Sequence, residues 1–213
     1  MIYNHRKDNE TDSTGFDDRV GKVQVPTPLK RTTMPRPSTG LLAAVGQERR
    51  VPLRGRINRQ IASCCIARLL VLAIEDRQRP IIAYIDSMGG SASEVLGVIS
   101  TINGIRCPVV TFCHGQAVGP AAIIAAHGVK GFRVGIPSAR FSFKGFEAVK
   151  SRDNGELDSL LPLLADILAA DTRKSKDLVL KWFKDGAQFT ASEALANGLI
   201  DAIAPQPLCP QSK

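Results

Sequence analysis

Aromatic residues are scarce: eight Phe, two Tyr and one Trp make up 5% of the 213 residues. Single-stranded nucleic acid is held by stacking bases on such rings, so no stacking platform is evident. The net charge of +8 comes from 28 basic and 20 acidic residues spread along the chain. It reads as a solvated basic surface, and nucleic acid is not an expected partner. The five cysteines, Cys64, Cys65, Cys107, Cys113 and Cys209, form no CxxC pair. That excludes a zinc site or a disulfide framework and leaves buried free thiols as the expectation. No His/Cys/Asp/Glu cluster has metal-ligand spacing, and Gly89-Gly90 lacks the third glycine of a dinucleotide motif. Neither a metal nor a cofactor is expected. The most apolar stretch, Ile61–Ile74, is interrupted by Arg68 and too short to span a bilayer. The first ten residues, MIYNHRKDNE, are polar and carry no signal-peptide core. The expectation is a cytoplasmic location, with no membrane.

What is present suits one domain with a full-sized core, at 44% hydrophobic residues. Residues 1–48 read as a poorly ordered extension, rich in Asp, Thr, Pro and Lys/Arg, with four prolines in Val23–Pro37. Residues 49–204 carry the domain and 205–213 a tail. Asn58 suits the cap of a helix over Arg59–Asp76, with Ile61, Cys65, Leu69 and Leu72 on one stripe.

The chain is organised around Ile81–Ala126. Ile81–Ile85 is apolar and β-branched at three of five positions, as a buried strand requires. Met88-Gly89-Gly90 is expected to break it. Ser91 and Glu94 have capping-box spacing, and Val95, Leu96, Val98, Ile99 and Ile102 follow at helical spacing up to Asn103-Gly104. Val109–Cys113 is a second strand, Gly115 a second break, and Ala121–Ala126 a small-residue helix. Such a βαβα unit implies parallel strands joined by a right-handed crossover. Both glycine turns then lie at the carboxyl edge of the sheet and feed helix N-termini, where backbone N–H groups gather and negative charge is favoured. Two such turns can cradle an oxyanion, although one Gly-Gly pair alone more often makes only a tight turn. Beyond this unit, Arg140–Phe143 reads as a strand. Asn154–Trp182 reads as one long helix with Leu157, Leu160, Leu161, Leu164, Ile167 and Leu168 on an apolar face, kinked or started at Pro162. Thr190–Glu193 is another capping box.

Tyr84–Ser91, YIDSMGGS, resembles the YINSPGGS segment of the proteolytic subunit of the Clp protease (ClpP). Gly115–Ala122, GQAVGPAA, resembles that family's GQAASMGA. Val51–Ile57 is similar to its first core strand, and Phe189–Asp201 to its FLSAxEAxEYGLID close. The resemblance covers most of Arg50–Ala204 and implies an α/β fold of the ClpP/crotonase type, built of βαβ units with a helical handle. It also places the family's serine protease triad. The nucleophile position holds Gly119, the histidine position Lys144, and the aspartate position Phe183, or Asp185 with a two-residue shift. Gly89, Gly90 and Pro120 fall at the oxyanion and substrate turns, and Pro120 has no N–H to donate.

The resemblance therefore implies a degenerate, ClpR-like member: a non-catalytic subunit or paralogue of an ATP-dependent Clp peptidase, structural or regulatory in a ring. Its expected partners are copies of itself, catalytic ClpP-type subunits or both, with an AAA+ unfoldase as an optional further one. The leucine face of Asn154–Trp182 is expected to need cover from neighbours. Two rivals stand beside this reading. One is a hydrolase of the same fold using a non-standard nucleophile for peptidase or acyl-thioester chemistry. The other is a stand-alone scaffold. Five other residues are weighed for chemistry. Ser142 and Lys144 would share a strand face as a serine–lysine dyad, but an edge-strand pair facing solvent is the commoner meaning. His114 precedes a glycine turn and is a minor candidate. His127 is expected to be a hydrogen-bonded structural residue. Ser87 lies near the oxyanion turn, and Ser91 is better explained as a cap.

Overall fold

The computed structural model describes residues 47–146 and 154–204. The expected tail, and all but the last two residues of the expected extension, lie outside the described residues. The described chain opens with one 3-10 turn, Gln47–Arg49. Arg49 is only 2% exposed. Its guanidinium donates to the carbonyls of Leu72 (3.0 Å), Asp76 (3.0 Å), Arg79 (3.1 Å) and Pro80 (3.2 Å). A cation there satisfies the last carbonyls of the following helix and opposes its dipole.

Strand β1 (Arg50–Ile57), helix α1 (Arg59–Glu75), β2 (Ile81–Gly90), α2 (Ala92–Gly104), β3 (Val109–Val118) and α3 (Pro120–Ala126) follow in order. Strands β1, β2, β3, β4 (Arg133–Gly135) and β7 (Ala202–Ile203) lie side by side, all parallel. Strand β5 (Arg140–Ser142) runs parallel to the end of β3 and antiparallel to β6 (Gln188–Thr190). Helices α4 (Asn154–Thr172), α5 (Lys176–Asp185) and α6 (Ala191–Ala196) complete the chain. This is the expected α/β architecture of βαβ units with a helical handle.

Val51, Leu53, Ile81, Ala83 and Ile85 turn one sheet face into core. Helices α1, α2 and α3 pack there in sequence, and the Thr111 hydroxyl on β3 donates to the Ala125 carbonyl of α3 at 2.7 Å. The caps are those the sequence indicates. The Asn58 carboxamide oxygen accepts from the Ile61 N–H, and Thr190 and Glu193 form a complete capping box. Among the described residues, no helix is long and apolar enough to cross a membrane.

Several local expectations are corrected. The glycines do not break the two central strands. β2 continues through Met88 and Gly89 to Gly90, and β3 through Gly115 to Val118. Gly115 instead lies in a bulge. The pairing jumps from Ile85–Cys113 to Ser87–Ala117, and the Asp86 carboxylate fills the space, accepting the Gln116 N–H at 3.2 Å. A side chain at Gly115 would begin 2.3 Å from that carboxylate. The Ser91 capping box is only half formed. Its hydroxyl accepts the Glu94 N–H, but its own N–H donates to the Ile57 carbonyl at 2.9 Å.

The helix expected over Asn154–Trp182 is two helices. Arg173, at φ 58°, leaves the helical region, and Ser175 caps α5 by accepting the Leu178 N–H. Pro162 lies inside α4. Of the expected stripe, Leu164 and Leu168 are fully buried by this chain, whereas Leu160, Leu161 and Ile167 are half-buried. Leu163, off that stripe, is exposed. Of the thiols, Cys65, Cys107 and Cys113 are buried as expected, whereas Cys64 is exposed. Burial pushes Cys65 and Cys113 up to about 12, which leaves both unreactive.

Candidate active site

The glycine end of β2 meets the strand-to-helix turn at Gly119 at the carboxyl edge of the sheet. A Cβ on Gly89 would lie 2.7 Å from the Val118 carbonyl and 3.7 Å from the Pro120 ring. One on Gly90 would lie 2.0 Å from the Ile57 carbonyl. Only glycine lets three backbones approach this closely.

Between them, β3 ends and α3 begins at Gly119, which has φ 54° and ψ −126°. A sharp strand-to-helix turn with a strained residue at its apex is the arrangement that presents a nucleophile in many hydrolases. Here the apex has no side chain. Its N–H donates to the Ser142 carbonyl at 2.6 Å, and a Cβ would meet the Lys144 carbonyl at 3.0 Å.

Lys144, at the histidine position, lies beyond the end of β5 in a turn and is exposed. Its backbone N–H donates to the Ser142 hydroxyl at 3.1 Å. A lysine acts as a base when a dry pocket disfavours its charge, and this one is in water. The aspartate position is more decisive. Phe183 is 3% exposed and its ring stacks on Phe146, with centroids 4.4 Å apart and planes at 21°. Phe143 joins them at 5.3 Å, stacks on Trp182 at 6.0 Å, and meets Phe189 edge-on at 6.1 Å. Five of the chain's few aromatic rings are thus gathered around the position expected for the aspartate. Asp185, the other candidate, is the exposed last residue of α5.

Three amides of these turns, those of Gly89, Ser91 and Gly119, are engaged within the fold. The Gly89 N–H donates to the Ser87 hydroxyl at 3.1 Å, which in turn donates to the Gly55 carbonyl at 2.6 Å. Ser91 and Gly119 donate to backbone carbonyls, and Pro120 has no proton to give.

The model of the Clp protease family matches residues 37–207, most of the chain and all of this site. The chain belongs to the Clp protease family. Within that family's frame the remaining candidates fall into place as structure. Ser142 and Lys144 do not form a dyad. β5 ends at Ser142, so the alternation that would align them stops there, and β5 is flanked by β3 and β6 and is no edge. Ser142 is 7% exposed, its hydroxyl turned to the Lys144 N–H. Ser87 is fully buried and braces the Gly89 turn. His114 stands half-buried on the sheet face away from α1, against Tyr84 (5.8 Å) and Phe112 (6.4 Å), and its Nε2 is buried without a partner. His127 is hydrogen-bonded, as expected, to Asp171 and Asn103.

Three features of this Clp family member escaped the sequence. The aromatic cluster draws on separate segments that only the fold brings together. Arg49 gave no signal beyond its place at the domain boundary. The third is Arg133, 2% exposed, which donates to Asp201 and to the carbonyls of Ala126, Asp171 and Gly198. Burial alone would raise the Asp201 carboxyl. The hydrogen bonds and charge of Arg133, with the Gly131 N–H, hold it below the ordinary value instead. Among the described residues no three potential ligands are grouped to hold a metal ion.

Proposed function

We propose that this chain is a non-catalytic Clp-type subunit, structural or regulatory in a ring, that has lost the serine protease triad. The observation that carries the reading is the elbow at Gly119. The fold still builds the strained turn, but nothing on it can attack, and the place for its acid is filled by Phe183 in an aromatic core. Loss of one group could be answered by a substitute nearby; here nucleophile, base, acid and one amide donor are absent together. Acyl-thioester chemistry meets the same obstacle, since it too needs free amides at these turns.

Family membership brings ring assembly with other Clp subunits as the general expectation, and the surface suits it. Helix α1 leaves Leu70 (46%), Val71 (46%) and Ile74 (79%) in water beside a groove of about 300 Å³. Tyr84 and His114 stand half-buried on the opposite side of the sheet. Two unlike faces on opposite sides of a sheet suit head-to-tail contacts, which make rings where the rotation between copies closes. The neighbours are further copies or catalytic ClpP-type subunits, with an AAA+ unfoldase as a possible outer partner. Native mass spectrometry of the chain, alone and mixed with a catalytic Clp subunit of the same source, tests this. Oligomers in either sample support the proposal. A strict monomer in both, at micromolar concentration, ends it.

A further inference from the structure

His127 lies outside the elbow, where three helix ends converge. It forms the C-cap of α3. Its Nδ1 lies 2.7 Å from Asp171 Oδ2 and its Nε2 3.0 Å from Asn103 Oδ1. Asn103 is in the last turn of α2, and Asp171 is the penultimate residue of α4. The two ionisable side chains are mostly shielded, at 13% and 22% exposed. Helix α4 rests on the α/β layer through α2 and α3, so one imidazole touches every helix at that junction.

Three cations lie near this pair, and the charge of Asp171 acts on one of them, Lys130. Lys130, on the loop after α3, donates to the Asp171 carbonyl and not to its carboxylate. Arg133, on β4, also reaches that carbonyl (3.0 Å), and its Nε and Nη2 are spent on Asp201. Arg173 follows α4 and bears on Lys130. Helix α2 offers only the neutral Asn103.

Both ring nitrogens thus face oxygen. Only the imidazolium carries an N–H at each, so only it satisfies both contacts as they stand. When the ring is neutral, Nδ1–H can remain on Asp171, but the Nε2 lone pair then faces the Asn103 oxygen. That contact must break or the carboxamide must turn. The Asp171 carboxylate still accepts Nδ1–H, but the contact is no longer an ion pair.

We propose that His127 is a proton-operated clamp that fixes the end of α4 against α2 and α3 when charged and loosens it when neutral. This stands whether or not the chain has a catalytic site.

Amide hydrogen exchange of the full-length protein tests it, from about pH 5.5 to about pH 8, corrected for intrinsic exchange. Protection in the last turn of α4, Leu168–Thr172, is expected to fall by up to roughly fivefold as pH rises, the loss that follows from breaking a partly shielded ion pair. His127→Gln keeps a donor but cannot titrate, and its profile is expected to be flat. Asn103→Asp gives Nε2 a carboxylate and is expected to move the loss of protection to higher pH. Asn103 is exposed, so this variant decides the matter even if His127→Gln does not fold. Nitrogen chemical shifts of the His127 ring are expected to show both sites protonated at the acid end. A flat wild-type profile, an unchanged profile in His127→Gln, an unmoved profile in Asn103→Asp, or a ring neutral throughout would each overturn the clamp.

Discussion

Placing a serine back on the elbow, Gly119→Ser, separates a missing nucleophile from a missing site. The backbone there sits at φ 54°, ψ −126°, a region that costs a side-chain-bearing residue roughly 1–3 kcal/mol. The new Cβ would also lie 3.0 Å from the Lys144 carbonyl. In a domain of this size each kcal/mol lowers the melting midpoint by roughly 2–4 °C, so a fall of about 2–10 °C is expected by differential scanning calorimetry. No activity should return. The hydroxyl has no base within a dry pocket, because Lys144 is exposed, and no carboxylate to orient one, because Phe183 fills that place. Binding and oxyanion stabilisation without a triad give serine proteases roughly a 10³–10⁴-fold gain over water, and loss of one oxyanion donor removes ~10²–10³ of it. Hydrolysis of a small fluorogenic peptide should therefore stay near background. Pro120→Met and Lys144→His, added together, are the minimum expected for detectable cleavage. A product burst from Gly119→Ser alone, with covalent labelling of the new serine, would refute this reasoning.

Other perturbations probe the packing that replaced the site. Phe183→Asp restores the family's carboxylate by sequence position but buries a charge among Phe143, Phe146 and Trp182. Urea unfolding should show a loss of at least ~3–5 kcal/mol with no gain in hydrolysis; an unchanged midpoint would show that the cluster yields freely. Gly90→Ala would place a methyl 2.0 Å from the Ile57 carbonyl and should prevent recovery of folded protein; a stable variant would contradict the close approach of β1 and β2. Asp201→Asn removes the charge facing buried Arg133 and should cost roughly 2–4 kcal/mol at neutral pH. The Asp201 carboxyl is held below its ordinary value when folded. Its contribution is therefore complete above the unfolded value of about 3.9 and is lost as pH falls through the lowered folded value. Thermal midpoints of wild type should thus drop more steeply below about pH 4 than those of the Asn variant, and parallel curves would remove Asp201 from the account.

The fold was legible where local rules act alone. The crossover unit and the Asn58 and Thr190 caps follow from period, spacing and turn chemistry. Legibility failed where a distant group overrides the local signal. Gly115 reads as a break, yet Asp86, thirty residues earlier, converts it into a bulge inside an unbroken strand. Ser91 reads as a full capping box, yet the Ile57 carbonyl takes its N–H. The leucine stripe of α4 is partly core, at Leu164 and Leu168, and a sequence cannot say which part of an apolar face its own chain covers. The same limit applies to the site. That Gly119 and Lys144 stand where the resemblance expects a serine and a histidine could be read position by position. That Phe183 lies in an aromatic core could not, since Phe143, Phe146, Trp182, Phe183 and Phe189 gather only after the strands and helices have packed.

The most direct test of the central claim is the intact mass of the unmodified protein after exposure to a fluorophosphonate, with peptide hydrolysis followed in parallel. The account predicts an unchanged mass and no hydrolysis above background, with the chain alone or added to a catalytic Clp subunit whose own serine has been removed. A stoichiometric adduct on this chain, together with inhibitor-sensitive cleavage, would show that it carries a working nucleophile away from Gly119 and would contradict the reading of an elbow built without one.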